Sequence, residues 1–230
     1  MVSGRSKGHR RFAAAGLVLV SAIILVACGK PEFTYVSNND EKTYFKVPSA
    51  WAKIDERPID SVVSGIDEGS LAAVLHKNRL WSVAYDASKQ PSHTHMTSFV
   101  TTDQPVVYAA VEHLATAEQD VVSLDFMRDF YLPVTEDLRA RAVQANYPLT
   151  DFELLRNEVL APSQGLHGVR VTYNYRFPTD VYHTFDQLVY VNNDSSTLYF
   201  LLIRCTFTCY KERSAEIDTV IKSFTVRSSA

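Results

Sequence analysis

VRVTYNYRF, residues 169–177, decides the fold. Val169, Val171, Tyr173, Tyr175 and Phe177 alternate with Arg170, Thr172, Asn174 and Arg176, and a period of two is that of a strand with one apolar face. Residues 152–160 before it and 185–191 after it read as further strands, set off by PSQG (162–165) and FPTD (177–180). Asn192-Asn193-Asp194-Ser195 supplies hairpin chemistry ahead of TLYFLLIRC (197–205), an apolar run short enough for a central strand covered on both faces. Four consecutive strands with short connections imply an antiparallel meander. The polar half of 169–177 reads as a sheet face half covered by helix ends, with a groove for an anion or a partner as the sharper alternative.

After Cys209 the period changes. Ile217, Val220, Ile221 and Phe224 fall at i, i+3, i+4 and i+7, one amphipathic helix closing the chain. Leu124, Met127, Phe130, Tyr131, Leu138 and Val143 make a rougher helical stripe over 123–146, interrupted at Pro133. Two helices must bury their stripes, and the two faces of the sheet offer the surface. The fold class is therefore α+β, an antiparallel meander sandwiched by helices. In the first half, 43–54 reads as a strand broken at Pro48 and followed by a buried Trp51. RLWSVAYDA (79–87) and QPVVYAAVEHL (104–114) read as strands, and 58–78 as holding a short helix that ends near His76.

The N-terminus states a destination. Residues 1–27 carry Arg5, Lys7, Arg10 and Arg11 and no acid, followed by an apolar run over 12–27, the layout of an export signal. Sixteen helical residues reach only ~24 Å, short of a ~30 Å hydrocarbon core. The run closes on Leu25-Val26-Ala27-Cys28-Gly29, which resembles the bacterial lipobox. That resemblance implies diacylglyceryl attachment at the Cys28 thiol, cleavage just ahead of it, and a stable anchor in the cell membrane facing out of the cytoplasm. Arg10-Arg11 matches a twin-arginine signal only loosely, so the export route stays open. The expected organisation is a lipoprotein signal at 1–27, a lipidated tether at 28–42 and one domain at 43–230. No Pro- or Gly-rich linker or repeat divides the last of these.

Four of the 23 basic residues and none of the 26 acidic ones lie ahead of Cys28, leaving 19 against 26, a net of −7 for residues 28–230. That balance, with no basic run after Arg10-Arg11, excludes a nucleic-acid-binding surface. Outside the cytoplasm disulfides persist, and with Cys28 acylated the remaining thiols are Cys205 and Cys209. In one extended strand, residues four apart sit ~13 Å from each other, beyond the ~7 Å limit for a bridge. A staple between them therefore requires the strand to stop at about Cys205, turn through 206–208 and start a helix near Cys209. A redox pair would favour C-x-x-C, and zinc would want two further ligands nearby.

His93-Thr94-His95 has a spacing that can grip a metal, with His76 or His113 as a third ligand by folding, yet QPSHTHMTS (90–98) reads as a polar surface loop with solvated histidines. The chain has no G-x-S-x-G elbow, S-x-x-K, Gly-rich phosphate loop or H-E-x-x-H, so neither an enzyme nor a cofactor is expected.

The ends of the domain, TYFKVPSAW (43–51) and EIDTVIKSFTV (216–226), with a strand meander and a helical insertion between them, resemble the PsbP-like fold. That fold is shared by the photosystem subunit PsbP, a Ran-binding nuclear protein and actinobacterial lipoproteins of the LpqN type. The resemblance implies an antiparallel sheet between helices and members that mostly bind other proteins or assist an assembly. It carries no catalytic residues to these positions, and 58–78 matches no part of it. The expected function is a membrane-anchored, non-enzymatic module that holds a protein partner, with a groove on a sheet face or beside 58–78. The alternative is a carrier or sensor of a small hydrophobic ligand, for which 12 Tyr and 12 Phe supply lining.

Overall fold

The computed structural model describes residues 31–227 together with Met1 and Gly4. Cys28 and the export signal lie outside the described residues. In chain order the elements are β1 (Phe33–Asn38), β2 (Thr43–Pro48), β3 (Ala52–Ile54), α1 (Arg57–Ser64), α2 (Leu71–Lys77), β4 (Leu80–Asp86), α3 (Thr94–Thr97), β5 (Val106–His113), α4 (Thr116–Gln119) and α5 (Leu124–Arg128). There follow α6 (Glu136–Gln144), β6 (Thr150–Ser163), β7 (Leu166–Arg176), β8 (Tyr182–Asn192), β9 (Thr197–Thr206), α7 (Phe207–Glu212), α8 (Ser214–Ser223) and β10 (Thr225–Val226). A seven-stranded sheet runs β3-β4-β5-β9-β8-β7-β6 and a three-stranded sheet β1-β2-β10, every pair antiparallel.

The meander is β6 to β9, and β9 lies between β8 and β5 as a buried central strand. The apolar half of β7 enters the core on one face, where Tyr173 pairs with Phe185 in register and stacks on it at 5.4 Å. The polar half of β7 departs from expectation. Arg170, Thr172 and Asn174 are buried; α7 and α8 bring partners down onto the Arg170 end, while β6 and β8 supply those of Asn174. Arg170 donates to both carboxylate oxygens of Asp186 (3.0 and 2.7 Å) and to Asp218 (2.9 Å), and Tyr210 donates to Asp186 (2.6 Å). Asn174 donates to Glu153 and accepts from Thr184. Arg170 and Asn174 are thus satisfied within an internal network, the state buried charge requires, and the stripe offers no groove.

Two cores flank the large sheet. One, holding Tyr108, Val171, Tyr173 and Phe200, is closed by Ile59 of α1, Met96 of α3, Met127 of α5 and the 129–134 segment. The other, holding Leu201, Ile203 and Leu188, is closed by the small sheet (Val36, Phe45, Val47) and by Ile217, Val220 and Ile221 of α8, the face that the sequence assigns to it. The small sheet thus shares this face with α8, and β2 and β3 part at Pro48, where the sequence predicts the break, to serve different sheets. The expected tether is also shorter, since β1 lies within 28–42 and the compact unit begins at Pro31. The helical region 123–146 is two short helices around an ordered break. The Asp129 carboxylate accepts from Val134 N (2.6 Å), Thr135 N (2.7 Å) and Thr135 Oγ1 (2.6 Å) beside Pro133, and α6 buries none of its residues.

Cys205 and Cys209 are bridged, with Cα atoms 5.9 Å apart. The strand runs to Thr206, whose hydroxyl caps α7 by accepting from Cys209 N (3.3 Å), so the chain turns within one residue and the helix starts at Phe207, slightly ahead of the expected place.

Candidate interaction site

Residues 57–78 form two helices where the sequence suggests one. Pro58 opens α1, and Gly65 ends it at φ +67°, a conformation that glycine adopts without a Cβ clash. Ser70 caps α2 by accepting from Ala73 N (3.1 Å). The pair is laid over β4 and β5 and leaves an apolar cavity of about 480 Å³ beneath α1, walled by Val63, Leu80, Phe126, Phe130, Leu198 and Phe200. A second cavity of about 460 Å³ lies between α1 and α2, sharing Asp60, Ser64, Ile66, His76 and Leu80 with the first.

The polar groups deepest in this space are partnered. The buried Tyr108 donates to Asp60 Oδ1 (2.7 Å). Burial pushes the Asp60 carboxyl up, and burial with Asp60 alongside pushes the Tyr108 phenol far up. His76 Nε2 lies 2.8 Å from Glu112 Oε1, both side chains largely buried, and ties α2 to β5. Arg79 pairs with Glu118 at 2.7 Å. The neighbouring hydroxyls are turned elsewhere: Ser64 donates to Asp60 O (2.7 Å) and Ser61 to Ile66 O (2.7 Å). The Glu112 carboxylate thus orients His76, and neither Ser61 nor Ser64 donates to its ring.

The apolar stripe of α2 stands at the surface, with Val74 at the edge of the second cavity. Leu71, Val74 and Leu75, at i, i+3 and i+4, are 75%, 60% and 61% exposed, while His76 of the same helix is buried. A helix whose apolar stripe faces water lacks the partner that the stripe calls for. Val62 and Val121 add exposed apolar surface.

The sequence-derived candidates lie elsewhere. His93 and His95 are not solvated. His95 Nδ1 sits 2.6 Å from Asp86 Oδ2, Met96 between α3 and the core is buried, and His93 Nδ1 is buried without a partner. His76 and His113 are engaged by Glu112 and Glu41, so neither joins them, and among the described residues no three His, Cys, Asp or Glu side chains gather as a metal-binding group. Sequence reading missed Asp60, Tyr108 and Glu112 and gave His76 a different role; the signal present was the apolar stripe of LAAVLHK (71–77). No helix among the described residues is long and apolar enough to cross a membrane.

No family model and no curated protein matches the chain in sequence. Solved structures do match. Cyanobacterial PsbP (CyanoP) from Synechocystis sp. PCC 6803 is similar over 87% of this chain and 95% of its own, with 13% identity and a TM-score of 0.50. The Ran-binding protein Mog1p of Saccharomyces cerevisiae is similar over 85% and 96%, with 7% identity and a TM-score of 0.43. A Pseudomonas aeruginosa protein of unknown function, a putative regulator, covers 86% and 100% with 10% identity and a TM-score of 0.39. With the order of strands and the two flanking cores, the first of these likenesses fixes the architecture: the chain has a PsbP-like fold.

Proposed function

We propose that this chain is a lipoprotein of the LpqN type, anchored through Cys28 at the outer face of the cell membrane, and that it holds a protein partner there without catalysing a reaction. The observation that carries the partner is the exposed stripe Leu71, Val74 and Leu75 beside the α1–α2 cavity. Full burial of each such side chain is worth about 1.5–3 kcal/mol, so a partner that presents an apolar surface to α2 has the driving force to stay. The lipobox-like residues 25–29 support the anchor, and the Cys205–Cys209 bridge suits a compartment outside the cytoplasm.

The alternative, a carrier or sensor of a small hydrophobic ligand, is favoured by one observation. The cavity under α1, at about 480 Å³, lies within the ~300–1,000 Å³ of ligand pockets. In-cell crosslinking and purification of tagged protein separates the two. A stoichiometric protein partner that disappears in a Leu71→Asp, Leu75→Asp variant supports the interaction module. A protein free of partners but carrying an extractable small molecule supports the carrier. A Cys28→Ser variant that stays in the membrane fraction with unchanged mass removes the anchor.

A further inference from the structure

The place where the tether meets the folded body is fixed by hydrogen bonds. Ser49 N donates to Glu32 O (2.9 Å) and Ser49 Oγ to Pro31 O, while Phe33 pairs with Pro48 at the start of β1. Trp51 N donates back to Pro48 O (2.9 Å), and Ala52 pairs with Asp86. Pro31 therefore sits at the end of the large sheet where β4 ends, β5 begins and β9 ends, the same end at which β7 turns into β8.

Cys28 precedes Pro31 by three residues. An extended chain covers at most ~3.3–3.6 Å per residue, so a lipid on Cys28 holds the membrane within about 11 Å of Pro31. Exposed apolar side chains stand at this end of the sheet: Phe99 and Val100 in the loop before β5, 42% and 47% exposed, and Phe207 at the start of α7, 44% exposed. They are held in place. The Arg204 side chain, buried in the core, donates to Ser98 O (2.8 Å) and Val100 O (3.0 Å) from below. Phe99 packs edge-on against Phe177 at 5.4 Å, and Thr206, next to Phe207, donates to Asp103 (2.9 Å). Of the acids at this end, Asp103 accepts from Thr206 and Asp180 pairs with Arg176 at 3.0 Å, while Glu32 beside Pro31 is exposed.

From this we infer that Phe99, Val100 and Phe207 form a preset apolar tip that enters the interfacial layer of the bilayer carrying the Cys28 anchor, seating this end of the sheet on the membrane. The inference rests on the anchor reading of Cys28. Fixed apolar side chains add to a lipid chain's hold on the interface and set an orientation that a lipid alone leaves free. Along β5, Glu112 lies six residues beyond Val106, about 20 Å at the strand rise, so α2 and its cavities face away from the lipid.

The test uses full-length lipidated protein reconstituted into phosphatidylethanolamine–phosphatidylglycerol vesicles that contain a phospholipid with a tail-borne diazirine. After irradiation, peptide mass mapping is expected to find adducts on residues 98–101 and 206–208 and none on 71–77. In a Val100→Glu, Phe207→Glu variant they fall to background while the protein still sediments with vesicles. Acylated, vesicle-bound protein with adducts on 71–77, or with none at 98–101 and 206–208, overturns this orientation and leaves the anchor standing. Protein that lacks acyl mass on Cys28 and stays in the supernatant overturns the anchor and the orientation together.

Discussion

His183 is wholly buried among the side chains that hold the 93–101 segment. Its ring stacks on Phe177 at 4.1 Å, and its Nδ1 accepts from Arg204 Nε (3.4 Å), which places the proton of the neutral ring on Nε2, where it has no partner. Arg204 is a buried cation that no carboxylate among the described residues pairs with. Three carbonyl oxygens, of Met96, Ser98 and Val100, hold it at 2.8–3.0 Å, and burial lowers it only to about 10, so it keeps its charge. Burial and this neighbouring charge lower the His183 ring to about 3. Between its ordinary value near 6.5 and 3, the unfolded chain binds a proton that the folded one cannot. Stability therefore falls as the pH drops through that window, by up to about 1.4 kcal/mol per pH unit from this residue. Urea unfolding from pH 7 to pH 4 is expected to show a steeper loss in the wild type than in His183→Gln; equal slopes would contradict a buried neutral ring.

At the scale of elements, β7 carries a second constraint beside its alternation. A Cβ on Gly168 would lie 2.6 Å from Val189 O and closer still to the Tyr190 ring of β8. Gly168→Ala is expected to cost about 1–3 kcal/mol, seen as a lowered Tm; an unchanged Tm would show that Tyr190 moves aside freely. At the β9–α7 corner the bridged ring is small, so replacing Cys205 and Cys209 together by Ala is expected to lose only about 2 kcal/mol by chain entropy. The same elements show what a sequence displays. The meander and α8 were legible because their patterns are local: period two over 169–177 and i, i+3, i+4 over 217–224. The burial of Arg170 was not, since Asp218 lies 48 residues further on and only tertiary packing brings it down. Likewise Asp60 and Tyr108 meet across 48 residues, with no local motif to announce them. Over 123–146 only the middle of the stripe is packed, Met127 with Phe130 and Tyr131; Leu124 and Val143 are exposed, and Pro133 and the Asp129 cap divide the region.

The whole molecule has two ends with different surfaces. Pro31, Phe99, Val100 and Phe207 share the end from which the tether leaves, and α2 with its cavities lies toward the other, across the length of β5. With a net charge of −7 over residues 28–230, the body gains little from anionic lipid by charge alone, so the proposed seating rests on the proposed acyl chains and the apolar tip. A photoreactive amino acid placed at position 75 or at position 99 of the full-length protein in intact cells tests this polarity most directly. The account expects position 75 to capture one protein in near-stoichiometric yield and position 99 to capture phospholipid. Lipid captured at position 75, or no protein captured there while position 99 takes one, would contradict it.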